Sequence, residues 1–523
     1  MRKQNLVPGW RRRWMSGHVL NRGFLRIGLI LVFSLTAVSQ AAEQNLPTLG
    51  DSDREELTPV FERKVGEEVM HMIRRDPDYI DDAPTLEYLN TLGDSLVDAN
   101  PEVRGEANYE FSFFVLRDPT INAFALPGGF IAVHSELLLT AQSESELAGV
   151  VGHEIGHVAQ RHIARMLGQQ RQDAIIPLAA MLLAVFAARS SPDAAGALAV
   201  GGEALAAQRQ LSFSRDAERE ADRVGLQIMS AAGYDASGMV SFFGRMQKAT
   251  RMYRDVPAFL QNHPMTSERI ADMQGRINSL PYKQHIDSLD FQLIRARLRV
   301  LQNPNTQGLQ DTSNYFENRL KQNPRQEFIQ AKYGLAFIAY QRGEFERAHS
   351  LMQEVRTATQ KLPGNDNAFA RPSYGAILDS TEIDIELGAG HAAAATKIAA
   401  VAREQFPVSR GIARQYANCL MADGRNDDAI VYLRDQAQLY REEPQVQDLL
   451  AKAYAAEGKQ ALQHLALAES YALNGSLPAA LDQIGFARKS PDASFYDNAV
   501  IDARERDFKE RWNEQKEEEK KRK

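Results

Sequence analysis

The chemistry of this chain is concentrated in the stretch "GVVGHEIGHVAQRHIA", where His153 and His157 stand four residues apart and Glu154 follows the first. On a helix the two histidines lie within about 40° of each other and one turn apart. Both imidazoles can then reach one point, at the distance of about 2.0–2.1 Å that zinc requires. Glu154 falls to the side, between the histidines and a stripe of Leu147, Val151 and Val158 that is expected to be the buried face. It is poorly aimed as a ligand and well aimed at a water in the open position of a metal. Zinc held by such a pair lowers the pKa of that water toward neutrality. Glu154 would take the proton as the water attacks a peptide carbonyl, then pass it to the leaving amine. The plainer reading is a helix that merely carries two surface histidines.

A catalytic zinc needs a third protein ligand. The stretch "SRDAEREADRVG" offers Glu218, with Asp222 four residues on and on the same helix face. From there Asp222 could accept a hydrogen bond from a ligating histidine and fix its tautomer. Glu220 is a rival ligand, but it points about 160° away from Glu218 around the helix. Arg215, Arg219 and Arg223 also allow an ordinary salt-bridged face. His263 precedes Pro264 in "NHPMTSERIADM". It could be a fourth, inhibitory metal ligand, a stabiliser of the oxyanion that forms during hydrolysis, or a cap for the helix that follows. Gly149, Gly152 and Gly156 each cost about 1 kcal/mol relative to alanine in a helix interior. Together they predict that another backbone, that of the Glu218 helix, crosses very close.

The elements that must position these residues are legible around them. Ser143 and Glu146 have capping-box spacing at the start of the motif helix. "YEFSFFVLRD" alternates like a strand, and "INAFALPGGFIAVHSELL" reads as strand, Pro-Gly-Gly turn, strand. An exposed edge at "GGFIAVHS" could bind an unfolded peptide by main-chain pairing. The apolar stretch 175–188 is short of a bilayer span and reads as a buried helix, a lid or a membrane-touching segment. Residues 56–280 thus form an expected α+β, mostly helical, zincin-like unit.

Connecting helices over 281–309 lead into a region, 310–495, without strand signals. Turn glycines there are followed five residues later by alanine: Gly343 and Ala348, Gly424 and Ala429, Gly475 and Ala480. Gly424 and Gly458 are 34 apart, the period of tetratricopeptide repeats. This predicts an all-α solenoid. Residues 496–523 are nearly all charged and read as a solvated helix fraying into a tail.

At the other end, a basic stretch, an apolar run over 27–38 and small residues predict a secretory signal over 1–41, followed by a linker over 42–55. Met15 is an alternative start, and an uncleaved anchor is the alternative reading. The single cysteine, Cys419, excludes an internal disulfide and reads as a small buried apolar residue. A net charge of −7 lacks the basic footprint of a nucleic-acid binder.

"HEIGHVAQRH" followed by "SRDAEREADRVG", with "NAFALPGGFIAV" before and "NHPMTSERIADM" after, resembles the M48 family of zinc metallopeptidases. The resemblance implies one zinc on His153, His157 and Glu218, with Glu154 as the catalytic base and Glu220 excluded. Joined to repeats, the chain resembles more narrowly the BepA type of periplasmic protease and chaperone. That implies work at the β-barrel assembly machinery on outer-membrane proteins, LptD among them, and degradation of stalled ones. A reading in which peptidase activity is minor beside an adaptor role stays open. Members of this type can carry a cysteine pair in the repeats, which this chain does not have.

Overall fold

Side-chain caps set the starts of the helices around the motif. Thr58 accepts from the Phe61 amide, Asp82 from Thr85, Ser143 from Glu146, Ser214 from Ala217 and Thr266 from Arg269. The computed structural model describes residues 58–105, 108–168, 213–252, 258–325, 327–362 and 373–522. The expected signal, the linker and the apolar stretch 175–188 lie outside the described residues. Among the described residues no helix is long and apolar enough to cross a membrane.

Helices α1 (Pro59–Ile73) and α2 (Ala83–Asp98) precede a three-stranded sheet of β1 (Ser112–Leu116), β2 (Ala123–Leu126) and β3 (Phe130–His134). Then come α3 (Ser135–Thr140), the motif helix α4 (Glu144–Ala159) and α5 (His162–Gly168). After the undescribed stretch follow α6 (Arg215–Ala231), α7 (Ser237–Met252), α8 (Ala258–Asn262) and α9 (Ser267–Ile277).

The sheet order is β1-β3-β2. β3 pairs in parallel with β1 and antiparallel with β2, and every residue in it is buried. The expectation that "GGFIAVHS" is an edge strand is therefore wrong. The Pro-Gly-Gly turn returns the chain inside the short β2, so β2 is an edge, as is β1, and β3 is the centre. A short apolar run looks the same in either place. The expected stripe of Leu147, Val151 and Val158 on α4 is buried, but so is every other residue from Glu144 to Val158. Helices close on α4 from several sides, so periodicity has no solvent face to reveal. The capping box is half formed. Ser143 Oγ accepts from the Glu146 amide at 3.2 Å, but Glu146 reaches the Gln142 amide at 2.7 Å and pairs with Arg245.

The remaining helices are α10 (Leu289–Gln302), α11 (Thr306–Gln322), α12 (Phe328–Gln341), α13 (Phe345–Thr359), α14 (Tyr374–Gly388), α15 (Ala392–Gln405) and α16 (Arg410–Ala422). They continue with α17 (Asn426–Leu439), α18 (Pro444–Ala456), α19 (Gln460–Leu473), α20 (Leu477–Lys489) and α21 (Phe495–Arg522). Within the stack, turns repeat one device. Gly343, Gly390, Gly424, Gly458 and Gly475 all take positive φ. The amide after each one bonds the carbonyl five residues earlier, as Glu344 does to Ala339 and Arg425 to Leu420, both at 2.8 Å. Ala348, Ala429 and Ala480 are fully buried, and Ala395 after Gly390 adds a fourth copy.

Two expected boundaries do not hold. Residue 310 falls inside α11, and one hydrophobic core runs from Ile80 through Met273 to Ile385, so the sheet and the first repeats share it. The charged tail is helical to Arg522, and its Ile501 and Phe508 are buried against α19 and α20. Charge content hid these two contacts, spaced seven residues apart on one face. Cys419 is fully buried, as expected.

Candidate metal centre

Helix α4 presents His153 and His157 on one side, and their Nε2 atoms lie 3.1 Å apart. Helix α6 crosses there and brings Glu218, whose Oε2 lies 3.4 Å from His153 Nε2 and whose Oε1 lies 3.5 Å from His157 Nε2. His263, just beyond α8, turns inward. Its Nδ1 lies 2.9 Å from Glu218 Oε1 and 3.3 Å from His153 Nε2. The ligand atoms of these four residues all lie within 4.8 Å of one another, and all four side chains are buried. Glu154 is buried beside them, with His263 Nε2 at 3.6 Å from its Oε1. Glu220 lies elsewhere, paired with His162 and Arg165. The expected residues thus meet, His263 included.

Residues 87–277 match Peptidase family M48. The Beta-barrel assembly-enhancing protease of Escherichia coli (strain K12) is 30% identical over 91% of this chain and 94% of its own. That of Yersinia pestis is 31% identical over 88% of this chain and 91% of its own. The chain belongs to peptidase family M48. The Mitochondrial metalloendopeptidase OMA1 of Schizosaccharomyces pombe is also similar, 34% identical over 33% of this chain and 48% of its own. Membership makes this chain a metal-dependent endopeptidase, and its full-length relatives extend the likeness through the repeats.

The donors present fit a divalent cation. Two imidazoles and a carboxylate converge, the three-ligand donor set that a catalytic divalent metal takes from a protein. Both Glu154 oxygens are buried without a hydrogen bond of normal geometry, although the Ala125 amide on β2 favours the charged carboxylate. Burial holds Glu154 above the usual carboxylate range. Burial would raise Glu218 too, but His263 and His153 pull it well below that range. His153 is opposed by burial, yet Asp222 and Glu218 hold its pKa up at about 9. Without metal, a proton on His153 therefore takes part of the cation's place. Metal binding at neutral pH displaces it, so affinity falls as pH falls.

Two supports were not foreseen. His153 Nδ1 faces Asp222 Oδ1 at 3.1 Å, as expected of Asp222, but Asp222 is itself gripped by Arg269 through two bonds of 2.7 Å. Arg269 also lies 2.7 Å from Glu218 Oε2 and donates to the Pro264 carbonyl at 3.0 Å. A signal was available: Arg269 sits four residues before buried Met273, a charge on the inward stripe of α9. The other support is His162, 2.9 Å from His157 Nδ1. Its reach depends on a bend that no periodicity reveals.

The glycine expectation is met at two positions and redirected at the third. A Cβ on Gly156 would lie 2.9 Å from the Ala221 carbonyl oxygen and 3.0 Å from its Cα, both on α6. Gly152 faces Gly225 of α6, while Gly149 faces Met239 of α7. Gly156→Ala is expected to destabilise the chain by about 1–3 kcal/mol through overpacking. Gly275→Ala, where a Cβ meets nothing within 4 Å, should instead stabilise by about 0.5–1 kcal/mol. Urea melts of the two variants check this; equal effects would refute the close crossing.

Proposed function

We propose that the chain is a periplasmic zinc endopeptidase that degrades misassembled outer-membrane β-barrel proteins and, as a chaperone, helps others to assemble. The convergence of His153, His157 and Glu218 beside the unbonded carboxylate of Glu154 carries the reading. Two imidazoles and one carboxylate are a zinc donor set. Bound there, zinc supplies polarisation of a water and of the scissile carbonyl.

The chain's own residues supply the rest. Glu154, whose pKa burial raises, accepts a proton from the attacking water and returns it to the leaving amine. β2 is a sheet edge beside this carboxylate, and an extended substrate could pair along it with little demand on sequence. The repeats would hold the β-barrel assembly machinery or unfolded client chains. Residues 175–188 remain a candidate for peripheral membrane contact.

His263 Nδ1 faces the same point as the other donors, which favours a fourth, blocking ligand over an oxyanion role. His263→Ala is then expected to raise hydrolysis of an unfolded protein severalfold, because a catalytic site keeps one position open. It should also weaken metal binding by about tenfold. Unchanged hydrolysis would remove His263 from the site, and a large loss would favour the oxyanion role.

The whole proposal is tested with the purified chain, its metal content and an unfolded outer-membrane β-barrel protein. One zinc per chain and cleavage at internal bonds are expected. Release of terminal residues alone would make it an exopeptidase, and a chain that binds no zinc would overturn the reading.

A further inference from the structure

The chain leaves α4 through a bend that places one more histidine against the site. Arg161 has φ of 50°, in the left-handed region, which costs a non-glycine residue about 1–2 kcal/mol. Its guanidinium is tied to α1, with Nε donating to Glu62 Oε1 at 3.0 Å, and Glu62 also accepts from the Tyr109 hydroxyl at 2.9 Å. The bend starts α5 at His162 and folds that ring back on α4. His162 is 3% exposed. Its Nδ1 faces His157 Nδ1 at 2.9 Å and its Nε2 faces Glu220 Oε2 at 3.0 Å. The same Glu220 oxygen accepts from Arg165 at 2.7 Å.

One arrangement of protons satisfies these contacts and leaves His157 able to bind a cation. Glu220, paired with Arg165, only accepts, so His162 carries its hydrogen on Nε2. A neutral imidazole protonated there has its lone pair on Nδ1. His157 must then donate from its own Nδ1 to that lone pair. Its remaining lone pair stands on Nε2, the atom facing His153 and Glu218. If His162 instead donated from Nδ1, the hydrogen of His157 would sit on Nε2 and block it.

We propose that His162 and Glu220 are positioning residues that hold His157 in its metal-binding tautomer. The inference rests on the zinc reading above. The two histidines of the motif are thus held unequally. His153 is backed by a carboxylate that Arg269 grips, and His157 by a neutral ring with a half-exposed carboxylate behind it. Glu220, which does not reach the ligand cluster, acts one residue further out.

Zinc affinity of the full chain, read by competition with a fluorescent chelator, tests this. His162→Phe keeps a ring and removes the acceptor. It is expected to weaken zinc binding by about 10–100-fold. His162→Asn places an amide oxygen where Nδ1 accepts and should recover most of that loss, which a purely packing role would not do. If His162→Phe binds zinc within about twofold of the unmutated chain, or if Asn is no better than Phe, the inference fails. If the unmutated chain binds no zinc, the zinc reading fails instead. A second measurement needs no variant. In ¹H–¹⁵N spectra of the zinc-loaded, histidine-labelled chain, His162 should be protonated on Nε2 and His157 on Nδ1. His162 protonated on Nδ1 would overturn the inference.

Discussion

Glu154→Gln should lower kcat for hydrolysis of an unfolded protein by about 10²–10⁴-fold, the usual contribution of a general base, with the fold and metal content unchanged. The amide fills the same space but cannot accept a proton from water. His153, His157 and Glu218 keep their places because none of them bonds to Glu154. A variant that keeps more than about a tenth of the activity would remove Glu154 as the base. The same variant separates the two activities proposed for the chain. If cells carrying it still assemble outer-membrane β-barrel proteins but no longer clear stalled ones, assembly rests on holding and not on cutting.

Stability gives a second reading of the same substitution. Burial raises the Glu154 pKa above its unfolded value of 4.5. The folded state therefore favours the protonated carboxyl. The native metal-free chain holds that stability below about 4.5 and loses it as pH rises through the raised folded value. Glu154→Gln has no such loss, so its melting temperature should exceed that of the native chain at neutral pH and match it more closely in acid.

Arg297→Met is expected to cost about 3–5 kcal/mol, the penalty for breaking a buried ion pair from one side. Arg297, on α10, is 4% exposed. Its Nε donates to both Asp82 oxygens, at 2.8 and 2.9 Å. Its Nη1 reaches Tyr333 Oη at 3.2 Å and Thr381 Oγ1 at 3.1 Å, and the guanidinium lies 4.1 Å from the Phe337 ring centre. One side chain thus ties the cap of α2, beside the sheet, to α12 and α14 in the helical stack. Methionine fills the volume and leaves the Asp82 charge without its partner. Adding Asp82→Asn should recover part of the loss, because Asp384, 3.9 Å from the guanidinium, is then the one carboxylate among the described residues left facing that position. Urea melts of the single and double variants decide it. A loss below about 1 kcal/mol in Arg297→Met would mean that the joint does not depend on this charge.

The sequence by itself determined the donor types and their local spacing. His153 and His157 share a face because 3.6 residues make a turn, and Glu218 and Asp222 share another for the same reason. The glycine and alanine positions in the repeats were readable too, since a positive φ and a close helix contact each restrict the residue allowed. What lay beyond local periodicity did not show. That β3 is central and β2 an edge depends on which strand the Pro-Gly-Gly turn sets outside, a matter of pairing and not of hydropathy. That α4 is buried on every side depends on neighbours far along the chain. Arg269, His162 and Arg297 act across separations of 47, 5 and 215 residues from their partners. Even the short one needed a left-handed Arg161, held by Glu62 from α1. Only the tertiary structure decided these, because a buried charge or an imidazole lone pair is defined by the groups that surround it, and the packed chain alone brings those groups together.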